Sequence, residues 1–200
     1  MTEVLAPDAE GIAAAVAILH GGGIVAFPTD TVYGVAVAAT KPDRVDALFA
    51  LKQRPTDRRI PLLVADLGQA VDAGWNADDR ALALAERFWP GGLTIVLPGD
   101  ATSQAVRAPN HPVALELIRA AGPLFTTSAN LSDEPDTWGA DEVLIAFATQ
   151  QDLLDAVVDG GAVPGGVAST VIDLTVTPAR ILREGPIGRA EIGEVVQLEA

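Results

Sequence analysis

The sequence contains no cysteine and only two histidines, His20 and His111, among 200 residues. A disulfide framework, a thiolate nucleophile and a cysteine metal site are therefore excluded, and a histidine-based metal cage has too few ligands. The absence of cysteine is compatible with a reducing compartment. We expect the protein in the cytoplasm.

Long apolar runs are also missing. No stretch approaches the roughly 18 consecutive apolar residues of a membrane span, and residues 1–10 lack the basic start and apolar middle of a secretory signal. The chain is nevertheless 49% hydrophobic, which is enough to bury a substantial core. We therefore expect a single domain over residues 1–200, soluble and without a membrane partner.

Positive charge is scarce, with 13 basic against 27 acidic residues and a formal net charge of −14. This balance repels a nucleic-acid backbone, so strong direct binding of nucleic acid is not expected. Four basic residues nevertheless lie within eight positions, at Lys52, Arg54, Arg58 and Arg59. This cluster predicts either an anion site or a solvated turn.

Several familiar catalytic motifs are absent. There is no Gly-Lys dipeptide for a Walker phosphate loop, and Gly21 to Gly23 precede a predicted strand, whereas a dinucleotide fingerprint follows one. A serine nucleophile elbow is missing as well. What remains is Arg, Lys, Ser, Thr and Asn in loops after strands, an inventory that indicates phosphoryl or adenylyl transfer.

Helical and strand patterns alternate along the chain, which predicts an α/β fold with an open, twisted, mixed sheet and flanking helices. After a cap at Asp8, helices are predicted near 12–19, 43–51, 78–88, 112–121 and 141–147. Strands are predicted near 24–27, 35–38, 61–64, 93–97 and 124–127, and around Val157, Val171 and Ile181. The polar segment from Pro28 to Thr31 is predicted to be an exposed loop between two strands.

Five ordered segments together resemble the YrdC-like threonylcarbamoyl-adenylate synthases. They are GIVAFPTDTVYG at 23–34, ALKQRP at 50–55 with PLLV at 61–64, WPGGLT at 89–94, AVRAPNHP through TTSANLS at 105–132, and STVIDLT with ILREGPIG at 169–188. Each segment alone is a weak signal, but the ordered set is highly specific. The resemblance implies a large concave cleft in which ATP and L-threonine lie side by side.

The resemblance also implies a reaction. Threonine captures carbon dioxide from bicarbonate as a carbamate, which attacks the α-phosphate of ATP and expels pyrophosphate; the product passes to a tRNA threonylcarbamoyl-transferase. Magnesium is expected to be held mainly by phosphate oxygens, with no protein metal ligand. The residues implied are Lys52 and Arg54 as catalytic; Lys52, Arg54, Ser103, Ser128, Asn130 and Arg183 for ATP; and Thr31, Arg107, Thr126 and Ser169 for threonine.

The residues themselves leave structural interpretations open. The threonines at 29 and 31 are typical of a turn that caps its own backbone, and Tyr33 is equally typical of a core. Lys52 and Arg54, which an extended exit from the helix would direct to one side, also suit the negative end of a helix. Asn130 suits a helix cap, and Arg183 suits a surface ion pair with Glu184.

Three positions depart from the family pattern. Ile60 and Ala65 stand where relatives commonly carry polar residues, and Ser132-Asp133 replaces the usual Ser-Gly. The spacing from Arg54 to Pro61 is also longer by about two residues, so Arg58 or Arg59 is a candidate substitute for a missing contact. Two other functions therefore stay open: carbamoyl adenylation with another acceptor amine, and a non-catalytic nucleotide- or RNA-binding module.

Overall fold

A ten-stranded mixed sheet organises the protein in the computed structural model, which describes residues 1–53 and 60–199. The spatial order is β1-β8-β2-β3-β7-β4-β6-β5-β9-β10. The strands are β1 (Glu3–Leu5), β2 (Val25–Pro28), β3 (Tyr33–Ala38), β4 (Leu62–Leu63), β5 (Leu93–Pro98), β6 (Ser103–Arg107), β7 (Leu124–Ser128), β8 (Ala156–Val158), β9 (Thr170–Asp173) and β10 (Arg180–Arg183). Some neighbouring strands are parallel, such as β1 and β8, and others are antiparallel, such as β2 and β3, which confirms the mixed sheet.

Seven α-helices flank this sheet in the described part of the chain. They are α1 (Ala9–His20), α2 (Val45–Lys52), α3 (Leu67–Asp72), α4 (Asp79–Phe88), α5 (Pro112–Ala121), α6 (Ala140–Ala146) and α7 (Arg189–Gly193). A short 3-10 turn, Pro42–Arg44, leads into α2. The five helices predicted from apolar spacing are all confirmed.

Aspartate caps define where three of these helices begin. Asp8 accepts a hydrogen bond from the Gly11 N–H at 2.9 Å, and Asp66 and Asp78 cap α3 and α4 in the same way. A carboxylate there satisfies backbone donors that have no partner inside the helix and favours the positive end of its dipole. The predicted cap at Asp8 is therefore confirmed.

Both faces of the central strands are buried. Along β3, Val35 and Val37 join a cluster with α2 and α6, while Ala36 and Ala38 join a second cluster with α1 and α5. A third cluster packs β5 and β6 against α3, α4 and α7. Burial on both sides explains why β2 and β3 are continuous apolar runs, and it fixes the strand ends that carry the polar residues.

Four elements were not predicted: β1, β6, α3 and α7. All four have only three to six residues, and β6 has the sequence SQAVR, whose Ser and Gln are weak strand formers. The predicted exposed loop at Pro28 to Thr31 is wrong in part, because Pro28 and Thr29 are buried and Asp30 and Thr31 are half-buried.

None of the helices in residues 1–53 and 60–199 has the length and apolar character needed to cross a bilayer.

Candidate functional site

A cleft of about 460 Å³ opens where several strands end. Its walls come from the turn after β2, from β6 and β7, and from the start of β9 with the end of β10. Six of the residues predicted to bind ATP or threonine line it: Thr31, Arg107, Thr126, Ser128, Ser169 and Arg183. Thr31 and Arg183, which are 152 positions apart in the chain, therefore share one cavity.

The turn between β2 and β3 is held by the Thr29 hydroxyl. This oxygen donates to the Val32 carbonyl at 2.7 Å and accepts from the N–H groups of Thr31 and Val32 at 3.2 and 3.3 Å. The self-capping turn considered from the sequence is thus present, and it is built by Thr29. The Thr31 hydroxyl lies 3.1 Å from that of Thr29 and lines the cleft.

Lys52 joins α2 to the end of β7. It is the last residue of α2 and only 3% exposed, and its ammonium donates to the carbonyl oxygens of Ser128 and Asn130 at 2.5 and 2.6 Å and to Asn130 Oδ1 at 3.0 Å. The Ser128 hydroxyl donates to the same Oδ1 at 2.6 Å. The cation therefore lies directly behind the Ser128 wall of the cleft.

The predicted extended exit from α2 is wrong at Lys52, because this residue is helical and Gln53 has a left-handed backbone with φ of 50°. Arg54, Arg58 and Arg59 lie outside the described residues. Asn130 does not cap a helix: its side-chain amide donates to the Glu134 carbonyl at 2.6 Å, and α6 begins ten residues later at Ala140. Asn130 instead ties Lys52 and Ser128 to the following loop.

Arg107 is a largely buried cation that lines the cleft. Its Nε donates to the Gly91 carbonyl at 2.9 Å, and its Nη2 donates to Asp30 Oδ2 at 2.6 Å. Burial lowers the pKa of Arg107 below its usual value, and the Asp30 charge opposes that shift. Since an arginine keeps its proton in proteins, Arg107 supplies a fixed positive charge for an anionic ligand.

Ser169 and Arg183 form a second polar group in the cleft. The Ser169 hydroxyl lies 2.7 Å from the Thr94 hydroxyl, and both side chains are buried. Arg183 donates Nε to the Ser169 carbonyl at 2.9 Å and Nη2 to its hydroxyl at 3.1 Å. The alternative ion pair with Glu184 is therefore not the arrangement observed.

The close passage of the LREG segment against Ser169 requires a glycine. A side chain at Gly185 would collide with the backbone of Ala168, Ser169 and Thr170. Arg183 is thereby held against β9, and its charge is near enough to lower the pKa of Arg107. Two guanidinium groups thus face one cavity, an arrangement suited to carboxylate and phosphate.

Other predicted residues lie less centrally. Ser103 begins β6, on the same face as Ala105 and Arg107 but about 13 Å from Arg107 along the strand. Thr126 is 6% exposed, and its hydroxyl donates to the Leu124 carbonyl at 3.1 Å. Tyr33 is a core residue whose hydroxyl donates to the Gly161 carbonyl at 2.7 Å.

Sequence reasoning missed the roles of Asp30, Thr94 and Asp136. Asp30 lies in the quoted GIVAFPTDTVYG segment and Thr94 in the quoted WPGGLT segment, so both positions carried a signal. Asp136 lines the cleft from the loop after β7. Within 1–53 and 60–199, no three His, Asp or Glu side chains cluster as they would around a metal ion.

The departures from the family pattern have distinct structural outcomes. Asp133 adopts a left-handed backbone with φ of 66°, the conformation that the usual glycine supplies without strain. Ile60 is buried, and its carbonyl accepts from Gln104 at 2.8 Å. Ala65 is half-buried, and its N–H donates to Gln69 at 2.9 Å.

Comparison with known proteins agrees with this geometry. The model of the Sua5/YciO/YrdC family, described as "Telomere recombination", matches residues 17–185. A threonylcarbamoyl-AMP synthase of Bacillus subtilis is 37% identical over 98% of this chain and 59% of its own length. A putative threonylcarbamoyl-AMP synthase of Mycobacterium leprae is 38% identical over 95% of this chain and 90% of its own length.

A solved structure extends the similarity to three dimensions. Pyrococcus abyssi Sua5 in complex with L-threonine superposes with a TM-score of 0.87 at 33% identity, covering 100% of this chain and 62% of that protein. The chain thus spans about six-tenths of the length of the Bacillus and Pyrococcus relatives. The extent of the match and these identities establish that the chain belongs to the Sua5/YciO/YrdC family.

Proposed function

We propose that the protein is a threonylcarbamoyl-AMP synthase, which makes threonylcarbamoyl-AMP and pyrophosphate from L-threonine, bicarbonate and ATP. The observation that carries the proposal is the single cleft in which Arg107, Ser169 and Ser128 converge from three separate strands or strand ends. The named synthases among the relatives support it.

The two halves of the cleft suit two different ligands. Arg107, Thr31, Thr126 and Ser169 would hold the amino acid, with the Arg107 guanidinium opposite its carboxylate. Ser128, Asn130, Lys52 and Arg183 would bind the nucleotide, with Ser103 and Arg54 as further contacts. Ser128 and Thr126 are two residues apart on β7, so their side chains lie on the same face of the strand. The two ligands would therefore lie side by side.

The chemistry requires positioning more than covalent help. The threonine nitrogen attacks carbon dioxide derived from bicarbonate and loses a proton, forming a carbamate. A carbamate oxygen then forms a bond to the α-phosphorus as the bond to the pyrophosphate oxygen breaks. Lys52, Arg54 and Arg183 would stabilise negative charge on the phosphate oxygens, while the threonine contacts hold the attacking oxygen in line.

Magnesium would accompany ATP and be held mainly by phosphate oxygens, since the described residues offer no carboxylate cluster. The proposal includes a cytoplasmic location, where ATP and tRNA meet. It also includes a downstream transferase that carries the threonylcarbamoyl group to adenosine in tRNA. A chain with a net charge of −14 is suited to passing on a small product without itself binding tRNA strongly.

A second candidate is the same chemistry with another acceptor amine. The apolar Ile60 and Ala65 favour it, because they stand where family members commonly carry polar residues. In this case Arg107 would still bind a carboxylate, but the side-chain preference would differ. Amino acids that lack the threonine hydroxyl or its methyl group separate the two candidates.

The test follows labelled bicarbonate into product. The purified protein is incubated with ATP, magnesium and each of L-threonine, L-serine and L-valine, and AMP conjugates are separated by chromatography. If an AMP conjugate becomes labelled with L-threonine but with neither L-serine nor L-valine, the result supports the synthase. If a conjugate becomes labelled with another amine, the result supports the second candidate. No conjugate with any amino acid would indicate a binding module and contradict both.

A further inference from the structure

Asp30 connects two parts of the amino-acid site that are 77 residues apart. Its Oδ2 accepts from Arg107 Nη2 at 2.6 Å, and the two side chains are 19% and 10% exposed. Asp30 itself does not line the cleft, whereas its neighbour Thr31 and its partner Arg107 both do. The carboxylate therefore lies behind the binding surface.

The turn around Asp30 is rigid. The Thr29 hydroxyl, which precedes Asp30, bonds to the backbone of Thr31 and Val32, which follow it, and the Thr29 N–H donates to the Val32 carbonyl at 3.2 Å. The Asp30 carboxylate has little freedom to follow Arg107. The guanidinium is consequently placed by a fixed carboxylate on one side and by the Gly91 carbonyl on the other.

This arrangement leaves one part of the guanidinium unused. Nε and Nη2 have partners, while Nη1 makes no hydrogen bond within residues 1–53 and 60–199. A planar guanidinium with two fixed nitrogens directs the third in a set direction. Since Arg107 lines the cleft, the N–H groups of Nη1 are available to a ligand carboxylate.

Within residues 1–53 and 60–199, Arg107 is the one hydrogen-bond partner of the Asp30 carboxylate. Its Oδ1 is buried and has no hydrogen-bond partner in the described part of the chain. A buried ion pair contributes little net stability because desolvation offsets its attraction. The pair is therefore better explained by the orientation that it imposes than by stability.

We infer that Asp30 is a positioning residue, which orients Arg107 toward the ligand carboxylate and fixes Arg107 relative to Thr31. The inference rests on the proposed function, since it assigns that carboxylate to the amino-acid substrate. Two opposite effects distinguish it from simple electrostatics. If Asp30 only competed with the ligand for Arg107, removing its charge would strengthen binding; if it orients Arg107, removal weakens binding.

The experiment compares Asp30→Asn and Asp30→Ala with wild type by steady-state pyrophosphate release, varying L-threonine and ATP separately. Asparagine keeps an acceptor for Arg107 but loses the charge. We expect the KM for L-threonine to rise about tenfold in Asp30→Asn and further in Asp30→Ala, with the KM for ATP unchanged. Direct titration of L-threonine should show the same order.

Asp78→Asn is the matched control. Asp78 pairs with Arg80 at 2.8 Å on α4, away from the cleft, and asparagine preserves its capping role. Its threonine KM should equal that of wild type. Thermal unfolding of all variants separates loss of folding from loss of orientation.

A threonine KM that falls or stays the same in Asp30→Asn, while wild type shows threonine-dependent turnover, would overturn the inference alone. Equal increases in both KM values together with a lower melting temperature would also overturn it, by showing a purely structural role. Wild type that neither binds nor uses L-threonine would overturn the proposed function, and the inference with it.

Discussion

The Lys52 ammonium donates to both the backbone and the side-chain oxygen of Asn130, at 2.6 and 3.0 Å. A third bond, to the Ser128 carbonyl, ties the end of α2 to the end of β7. Lys52 therefore has a structural contribution in addition to the ATP contact proposed for it. Its two contributions can be measured separately.

Lys52→Met should lower the free energy of unfolding by about 2 kcal/mol, because it removes charge-assisted hydrogen bonds and leaves buried oxygens without a donor. Urea denaturation measures the change. Lys41→Met is a matched control, since Lys41 is the other lysine of the sequence and makes no side-chain cap to the 3-10 turn that follows it. Equal stability of the two variants would show that the Lys52 contacts contribute nothing.

Arg183→Lys should reduce kcat/KM for ATP at least about tenfold, since a lysine cannot reproduce both bonds of the guanidinium to Ser169. Steady-state kinetics measure this ratio. Arg180→Lys lies on the same strand and disturbs only an exposed pair with Glu199, so it should leave the ratio unchanged. The same mild effect in both variants would argue against a role for Arg183 in the site.

Tyr33 should make stability fall at high pH. Burial, with a smaller effect of the Asp159 charge, raises the pKa of Tyr33 to about 12 from its ordinary value of 10.0. Below pH 10 both folded and unfolded chains hold the phenolic proton. Between about pH 10 and 12 only the folded chain keeps it, so stability decreases by about 2 to 3 kcal/mol.

This prediction is clean because the sequence has one tyrosine. Ultraviolet difference absorbance of tyrosinate should show ionisation near pH 12. Denaturation curves at several pH values should show the extra loss of stability in wild type and not in Tyr33→Phe. A phenol that ionises near pH 10 in the folded protein would contradict the burial of the Tyr33 side chain.

Asp133→Ala should cost about 1 kcal/mol of stability, whereas Asp133→Gly should be neutral or stabilising. The backbone φ of 66° is unfavourable for alanine, tolerated by aspartate and free of strain for glycine. Thermal or urea unfolding checks both variants. Glu134→Ala, at the next position and outside the left-handed region, should have little effect; a ranking in which glycine is worse than alanine would contradict this explanation.

Much of the fold was predictable because local signals agreed with burial. Asp8 marked the start of α1, and the apolar run at Ile24 to Phe27 marked a strand buried on both faces. Strand β6 was not predictable in this way, since its Ser103 and Gln104 owe their strand conformation to pairing with β5. Short elements such as α3 depend on tertiary packing in the same manner.

The site was predictable as a set of residues but not as a network. The ordered motifs indicated Arg107, Ser128 and Ser169, and these residues do share one cleft. Which groups they contact depends on strand register and on separations of 75 residues or more, as in the Thr94–Ser169 and Asp30–Arg107 pairs. No local spacing encodes such contacts, so the carboxylate behind Arg107 emerged only from the structure.

Synthase activity is tested most directly by pyrophosphate release from ATP and magnesium, measured with and without L-threonine and bicarbonate, for wild type, Lys52→Ala and Lys41→Ala. We expect wild type and Lys41→Ala to release pyrophosphate only when both L-threonine and bicarbonate are present, and Lys52→Ala to lose this release. Pyrophosphate release that is independent of L-threonine, or that survives in a folded Lys52→Ala variant, would contradict the proposed synthase activity.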